Sequence, residues 1–389
     1  MKGPPLRALP VPPGVGALSV LEDLRKALDG TGPAVAPHAV KSRPQPIPDD
    51  LGDLPPGLAL TIGTSGSTGR PKLAMLTSAA LRASADATHH RLGGGGQWML
   101  ALPASHIAGI QVLVRSLVSG TKPVCMDVAG GFTTTAFARA TEKIAADTRA
   151  YTALVPTQLV RALRSPIGRK ALTRYAAVLV GGATAPAGLL TQARDAGVRV
   201  VTTYGMSETA GGCVYDGRAL DVSRVQLEDD GRIRIGGVTL AEGYLGQPEL
   251  TAGCFSKGIN GGAWFRTDDV GHLDHGALVV DGRIDDLICT GGVKVAPGLV
   301  ETALVKLDMI TEAIVVGSPD PEWGQVVSAA VVVAQGSSRP TLEDVRDQLR
   351  GILADHALPR RLVTLPELPV RGPGKPDLAA VRGLFDRGD

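Results

Sequence analysis

Between about residue 58 and residue 282, short apolar runs alternate with Ala-rich and Leu-rich amphipathic stretches, and this alternation confines the chain to an α/β architecture. Strands are expected over 58–62, 98–102, 122–127, 176–180 and 198–202, with helices between them. A composition boundary follows Gly282-Arg283. Beyond it a turn at Gly291-Gly292 precedes a helix expected over 297–307, strands near 312–317 and 326–334, and a helix opening at Thr341. Asp344 holds the capping-box position of that helix, and Leu342, Val345, Leu349 and Ile352 share one face. The result is an α+β unit of about a hundred residues, a size suited to a separate lid. The first fifty residues carry Pro-Pro pairs at 4–5 and 12–13, a short helix expected over 18–28 and a Pro-rich run from 33 to 48, which reads as an arm and linker. The expected division is therefore an arm over 1–50, a large domain over 51–283 and a small one over 284–389.

Composition narrows the function classes. At 389 residues, 44% hydrophobic and 20% charged, with a formal net charge of +2, the chain has a globular make-up and no pronounced field for nucleic acid or membrane. Cys125, Cys213, Cys254 and Cys289 are too far apart for a CxxC unit, and no secretory apolar segment lies near Met1, so reduced thiols in the cytoplasm are expected. His272 and His275 stand three apart in what reads as a hairpin turn, with no third ligand at a fitting spacing, so no structural metal is expected. No apolar stretch reaches the roughly 18 uncharged residues of a membrane span.

Residues 64–72 are the densest anion-binding stretch: Thr64, Ser65, Gly66, Ser67, Thr68, Gly69, Arg70, Pro71 and Lys72. The glycines let backbone N–H groups approach phosphate oxygens, the hydroxyls donate further hydrogen bonds, and Lys72 adds a point charge. A triphosphate is the natural occupant. This is not a Walker A loop, because Arg70-Pro71 separate Gly69 from Lys72. A flexible Ser/Gly surface loop is the competing reading.

Further motifs follow in order: Leu102-Pro103-Ala104-Ser105-His106-Ile107-Ala108-Gly109, Gly181-Gly182-Ala183, Tyr204-Gly205-Met206-Ser207-Glu208-Thr209, Trp264-Phe265-Arg266-Thr267-Asp268-Asp269, Gly282-Arg283-Ile284-Asp285-Asp286 and Gly372-Pro373-Gly374-Lys375. With the 64–72 loop they resemble the adenylate-forming superfamily of acyl-CoA synthetases, adenylation domains and luciferases, over nearly everything from Leu58 onward. The resemblance implies a large N-terminal adenylate-forming domain with a shortened N-terminal part and a small, mobile C-terminal α+β domain. It also implies ATP, Mg²⁺ and CoA as cofactors and cosubstrates.

Residue chemistry agrees with those roles. Glu208 offers a hard oxygen for Mg²⁺, Ser207 can donate to the α-phosphate, and Tyr204 presents a flat face to adenine, against ordinary core packing as the alternative. Asp269 can accept both ribose hydroxyls, or be a solvated turn residue. Arg283 can reach ribose or phosphate, and Asp285 sits where the family places its hinge. By resemblance, Gly182 and Ala183 form the acyl and adenine wall, and His106 and Gly205 line the acyl side. Lys375 stabilises the charge shared by carboxylate and α-phosphate, while Gly291, Gly292 and Lys294 border the CoA tunnel. The alternatives are a core histidine at His106 and a solvated lysine at Lys294. Two departures from the family pattern stand out: Leu73 follows the loop lysine where Gly is usual, and Asp268 precedes the ribose aspartate where Gly is usual.

The short body and the stretches 151–159 and 204–217 look most like actinobacterial o-succinylbenzoate:CoA ligases of menaquinone biosynthesis. Such a substrate carries two carboxylates, so one needs a partner while the other reacts. Arg115 lies nine residues beyond His106 on an otherwise apolar helix, the position that carries the benzoate-recognising arginine by resemblance. A snorkelling arginine or a salt bridge to a nearby acid are the alternatives. The expected partners are a small aromatic carboxylic acid, ATP and CoA, without nucleic acid or membrane, and a homodimer stays open. Rival readings are another aryl- or medium-chain acyl-CoA ligase, an adenylation unit loading a carrier protein, and a silent nucleotide-binding module.

Overall fold

The computed structural model describes residues 4–42, 47, 53–64, 72–127, 131–258, 261–334, 336–371 and 375–386. The chain divides into two compact units. Unit 1 comprises Met1–Thr184, Ala193–Gln226 and Arg234–Thr267; unit 2 comprises Ala185–Gln192, Leu227–Ile233 and Asp268–Asp389.

In unit 1, β1 (Leu6–Val11), β2 (Ala34–Ala39), β3 (Leu58–Thr64) and β4 (Lys72–Thr77) form a four-stranded sheet in that order. A 3₁₀ turn and helix α1 (Leu21–Leu28) connect the parallel pair β1 and β2. The segment expected as an arm and linker is thus largely a βαβ unit, with Leu9, Val11, Val20, Leu24 and Leu28 in the main core. Its prolines mislead because β2 meets β3 only at Val35↔Leu60, so Pro37 withholds no ladder hydrogen bond on that side.

A seven-stranded sheet follows, built from β5 (Gln97–Leu100), β6 (Val124–Cys125), β7 (Ala150–Leu154), β8 (Ala177–Val180), β9 (Val200–Met206), β10 (Gly211–Tyr215) and β11 (Arg218–Ala219). Its order is β11-β10-β9-β8-β7-β5-β6. Strands β6, β5, β7, β8 and β9 are parallel, and the hairpin partners β10 and β11 close one edge antiparallel. In chain order, the helices between these strands are α2 (Ser78–Leu92), α3 (Ile107–Val118), α4 (Thr134–Thr141), α5 (Pro156–Arg164), α6 (Pro166–Leu172) and α7 (Ala187–Asp195). Every residue of β7 is buried, as a strand covered on both faces requires. Trp98, Tyr151, Leu113 and Ile110 fill the core between α3 and this sheet.

Strands β12 (Ser223–Leu227) and β13 (Arg232–Gly237) and helix α8 (Pro248–Cys254) lead to β14 (Phe255–Lys257) and the long β15 (Ala263–Asp274). The first part of β15 pairs with β14, and its second part pairs with β16 (Ala277–Arg283) through a turn at His275-Gly276, where both residues have positive φ. The division between the units falls inside β15, after Thr267, rather than at the expected residue 283.

Unit 2 continues with β17 (Ile288–Thr290), β18 (Val293–Val295), α9 (Pro297–Leu304), β19 (Ile310–Asp320), β20 (Gly324–Val333), α10 (Leu342–Leu349) and β21 (Arg361–Thr364). These strands form one sheet in the order β18-β17-β20-β19, with β21 parallel to β20. At the start of α10, Thr341 Oγ1 accepts from the Asp344 backbone N–H while Asp344 Oδ2 accepts from that of Thr341, the reciprocal cap expected from sequence. The chain closes with the short hairpin β22 (Val370–Arg371) and β23 (Lys375–Pro376), then α11 (Leu378–Phe385), whose Val381 and Phe385 pack on β19 and β20. The α/β class and the smaller α+β C-terminal unit follow the sequence expectation.

Candidate active site

The turn between β9 and β10 is the centre of the site in unit 1. Ser207–Thr209 form a 3₁₀ turn, and the chain reverses through Ala210 (φ 52°) and Gly211 (φ 90°). Thr209 Oγ1 accepts from the Met206 N–H at 2.9 Å and donates to Gly211 O at 2.7 Å, so the turn is bonded to itself. The Ala210 carbonyl accepts from Ser84 Oγ at 2.9 Å and Gln111 Nε2 at 2.6 Å, anchoring the left-handed residue to α2 and α3. Gly205 has no alternative, since a Cβ there would lie 2.1 Å from Gly211 O across the hairpin.

Ser207 Oγ donates to the Gly63 carbonyl of β3 at 3.2 Å. That bond sets the turn beside the β3–β4 hairpin, in which Thr64 and Lys72 are Cα partners. The remaining residues of the expected phosphate loop, Ser65, Gly66, Ser67, Thr68, Gly69, Arg70 and Pro71, lie outside the described residues. Glu208 is buried, and its Oε1 accepts from Tyr244 Oη at 2.8 Å. The segment carrying Tyr244 runs along β4: Glu242 N–H donates to Met75 O, Leu245 N–H to Leu73 O, and Ala241 N–H to Glu208 O. Lys72 Nζ stands 5.6 Å from the Tyr244 ring centroid. Tyr244 therefore links the loop lysine to the candidate metal carboxylate. A tyrosine between two glycine turns carries no pattern of its own, so only the fold singles it out.

Gly181, Gly182 and Ala183 follow β8, with Gly182 at φ 79° and a Cβ on Gly181 excluded by Thr203 Oγ1 at 2.3 Å. Tyr204 is half-buried in β9 opposite Val214, so it is not closed into the core. His106 is exposed at the N-cap of α3, which removes the core-histidine alternative.

Arg115 lies two turns further along α3 and is only 3% exposed. Snorkelling is therefore excluded, and among the described residues no carboxylate pairs with it. Its guanidinium stacks over Trp98, 4.9 Å from the ring centroid, Nη2 donates to Tyr215 Oη at 3.4 Å, and Nε has no partner. Trp98 Nε1 donates to His89 Nε2 at 3.1 Å. Burial, and then the Arg115 charge, push the His89 imidazole down to about 4, so it remains a neutral acceptor.

In unit 2, Asp269 and Arg283 are Cα partners across β15 and β16. The Arg283 guanidinium lies 3.9 Å from Asp269, 3.4 Å from Asp268 and 3.8 Å from Asp285, and Arg232 stands 3.9 Å from Asp268. Asp268 thus shares in the ion-pair network around the candidate ribose carboxylate. Asp285 is exposed in the turn Ile284–Asp286. Gly291 (φ 56°) and Gly292 (φ 80°) turn β17 into β18, and a Cβ on Gly291 would meet the Trp323 ring at 2.6 Å. Lys294 is exposed on β18. Lys375 is the Cα partner of Arg371, while Gly372, Pro373 and Gly374 lie outside the described residues.

Unit 1 thus holds Thr64, Lys72, His106, Arg115, Gly182, Ala183, Tyr204, Gly205, Ser207 and Glu208. Unit 2 holds Asp269, Arg283, Asp285, Gly291, Gly292, Lys294 and Lys375. No three His, Cys, Asp or Glu side chains converge among the described residues. Among the described residues no helix is long and apolar enough to cross a membrane.

Comparison with known proteins gives two family matches, AMP-binding enzyme over residues 23–245 and AMP-binding enzyme C-terminal domain over 299–375. The chain is 45% identical over 98% of both lengths to a probable 2-succinylbenzoate–CoA ligase of Mycobacterium tuberculosis. It is 31% identical to the 2-succinylbenzoate–CoA ligase of a Geobacillus species, over 80% of this chain and 66% of that one. ATP-bound MatB of Rhodopseudomonas palustris shares the fold, with a TM-score of 0.80 at 21% identity over 100% of this chain and 90% of that one. So does the o-succinylbenzoate CoA synthetase of Bacillus subtilis in complex with its acyl-adenylate intermediate, at 0.71 and 22% over 100% and 89%. The chain belongs to the AMP-binding enzyme family, the adenylate-forming acyl-CoA synthetases.

Proposed function

We propose that the protein is an AMP-forming acid–thiol ligase that activates o-succinylbenzoate with ATP and transfers the acyl group to CoA, the step the resemblance implies in menaquinone biosynthesis. The observation that carries the choice of acid is Arg115, a buried guanidinium on the helix opened by His106, without a carboxylate partner among the described residues. Burying an unpaired cation costs several kcal/mol, so its presence supports a substrate that brings the missing anion. The full-length similarity to the mycobacterial protein supports the same acid.

In this reading the succinyl carboxylate attacks the α-phosphorus of ATP and pyrophosphate leaves, while the ring carboxylate pairs with Arg115. The CoA thiol then attacks the acyl carbonyl and AMP leaves. Ser207, its hydroxyl turned away from the Gly63 carbonyl once ATP is bound, donates to the α-phosphate, and Thr64, Lys72 and the 64–72 loop hold the departing phosphates. Glu208 would hold Mg²⁺, which when bound would supply charge neutralisation toward the phosphates; the Tyr244 hydroxyl steadies one oxygen of that carboxylate. Tyr204, Gly182 and Ala183 receive the adenine, Asp269 the ribose, and Arg283 the ribose or phosphate. Lys375 stabilises the charge of the first transition state. Asp285 is the hinge, and Gly291, Gly292 and Lys294 border the path of CoA.

AMP release measured over a panel of acids tests the reading. Turnover of o-succinylbenzoate with free CoA, far above that of benzoate or octanoate, is the expected result. The reverse preference would replace the acid, and adenylation without any thioester to free CoA would favour carrier-protein loading. Lys375→Ala should abolish adenylation yet spare thioester formation from supplied acyl adenylate; loss of the second half-reaction alone would overturn its role.

A further inference from the structure

Behind Arg115 lies a buried hydrogen-bonded chain whose direction is set from both ends. Arginine can only donate, so Tyr215 Oη accepts from Arg115 Nη2 at 3.4 Å. At the far end, Thr88 Oγ1 spends its proton on the Ser84 carbonyl at 2.8 Å. The 2.9 Å contact between Thr88 Oγ1 and Tyr215 Oη is therefore a bond donated by the tyrosine. Each hydroxyl has one proton and one direction to send it, which leaves the Tyr215 lone pairs toward the guanidinium. Tyr215, Thr88 and Ser84 are all 0% exposed, so water does not compete. A second support is the Trp98 ring beneath the guanidinium, itself oriented by its bond to His89. Trp98 supports the guanidinium on one face, and the hydroxyl chain holds it at Nη2.

We propose that Tyr215 and Thr88 are positioning residues for the second carboxylate of the substrate: they turn the Arg115 fork so that its unpartnered Nε and remaining Nη protons are presented together to that anion. This rests on the assignment of Arg115 to the spare carboxylate. Neither residue touches substrate, and neither contributes to an acid that lacks the second carboxylate.

The test compares steady-state kinetics with o-succinylbenzoate and with 3-benzoylpropionate, the same acyl chain without the ring carboxylate. In Tyr215→Phe the KM for o-succinylbenzoate should rise about tenfold, the loss of one charge-assisted bond's worth of orientation, with kcat unchanged. The KM for 3-benzoylpropionate should stay where it was. Thr88→Val should move the diacid KM in the same direction, and Thr88→Ser, which keeps both the proton and the acceptor, should restore it. Equal KM increases for both acids in Tyr215→Phe would make the tyrosine a general packing residue and overturn the proposal. So would an unchanged diacid preference in Tyr215→Phe when Arg115→Gln abolishes that preference. If Arg115→Gln itself leaves the preference intact, the assignment of Arg115 fails first, and the two failures are told apart by that variant alone.

Discussion

Arg115→Met separates stability from function. The wild-type guanidinium is buried with one long bond to Tyr215, a stacked Trp98 and an orphaned Nε. Methionine removes the bond, worth about 1 kcal/mol at that length, and the cation–π contact, worth up to about 2 kcal/mol when desolvated. Against this it relieves a desolvation penalty of several kcal/mol, and its thioether over Trp98 recovers about 0.5 kcal/mol. Replacing buried ions by apolar side chains of similar volume is often neutral or stabilising by about 1–4 kcal/mol. The ligand-free variant should therefore be about 1–2 kcal/mol more stable, a rise in melting temperature of a few degrees or less in a chain of this size. Its kcat/KM for o-succinylbenzoate should fall by about 3 kcal/mol, roughly two orders of magnitude, because a carboxylate would then be buried unpaired. Differential scanning calorimetry without ligands and AMP-release kinetics with o-succinylbenzoate and 3-benzoylpropionate supply both numbers. A variant that melts several degrees lower and loses activity equally with both acids would refute the reasoning, since the guanidinium would then be a satisfied structural group.

Three further outcomes follow from particular contacts. Tyr244→Phe leaves the ring under Lys72 but removes the buried donor to Glu208, so the Mg²⁺ concentration needed for pyrophosphate exchange should rise about tenfold or more, and an unchanged Mg²⁺ titration would exclude Tyr244 from the phosphate site. Enclosure of the Glu301 carboxyl, whose stem is partly exposed, pushes it up to about 7 against the bond it accepts from the Val315 N–H, so the folded state holds a proton that the unfolded chain releases from about 4.5 upward. Stability should then fall as pH rises between those values, by about 3 kcal/mol in all, and Glu301→Gln should raise the melting temperature of unit 2 near neutral pH with a gain that vanishes toward pH 4.5; a pH-independent difference would contradict this. Burial pushes the Cys125 thiol up to about 11 and the Cys213 thiol up to about 12, whereas Cys289 is exposed, so iodoacetamide on the native protein should label Cys289 first and the buried pair only after denaturation, as peptide mass mapping would report.

The sequence was most legible where a local rule and the tertiary environment agree. The strand expected at 58–62 is β3, those at 98–102 and 176–180 are β5 and β8, and the Thr341 cap forms as its spacing requires. Legibility failed where a local signal was outvoted. Prolines in the first fifty residues suggested an arm, yet a strand with an unpaired flank tolerates proline, and the apolar residues between them belong to the main core. The boundary at 283 followed composition, whereas the chain separates inside a continuous strand that no change of residue type marks.

Residue order alone makes the family of this protein legible, because the motifs that mark it are short and contiguous, their spacing set by a turn or a hairpin. Spatial convergence establishes the rest. Tyr244 meets Glu208 only because residues 241–245 run along β4, and Arg115 acquires Trp98, Tyr215 and Thr88 from three other elements. Whether a buried charge is paired, and which way a hydroxyl sends its proton, depends on contacts between residues distant in the chain, and those contacts exist only once the chain has folded.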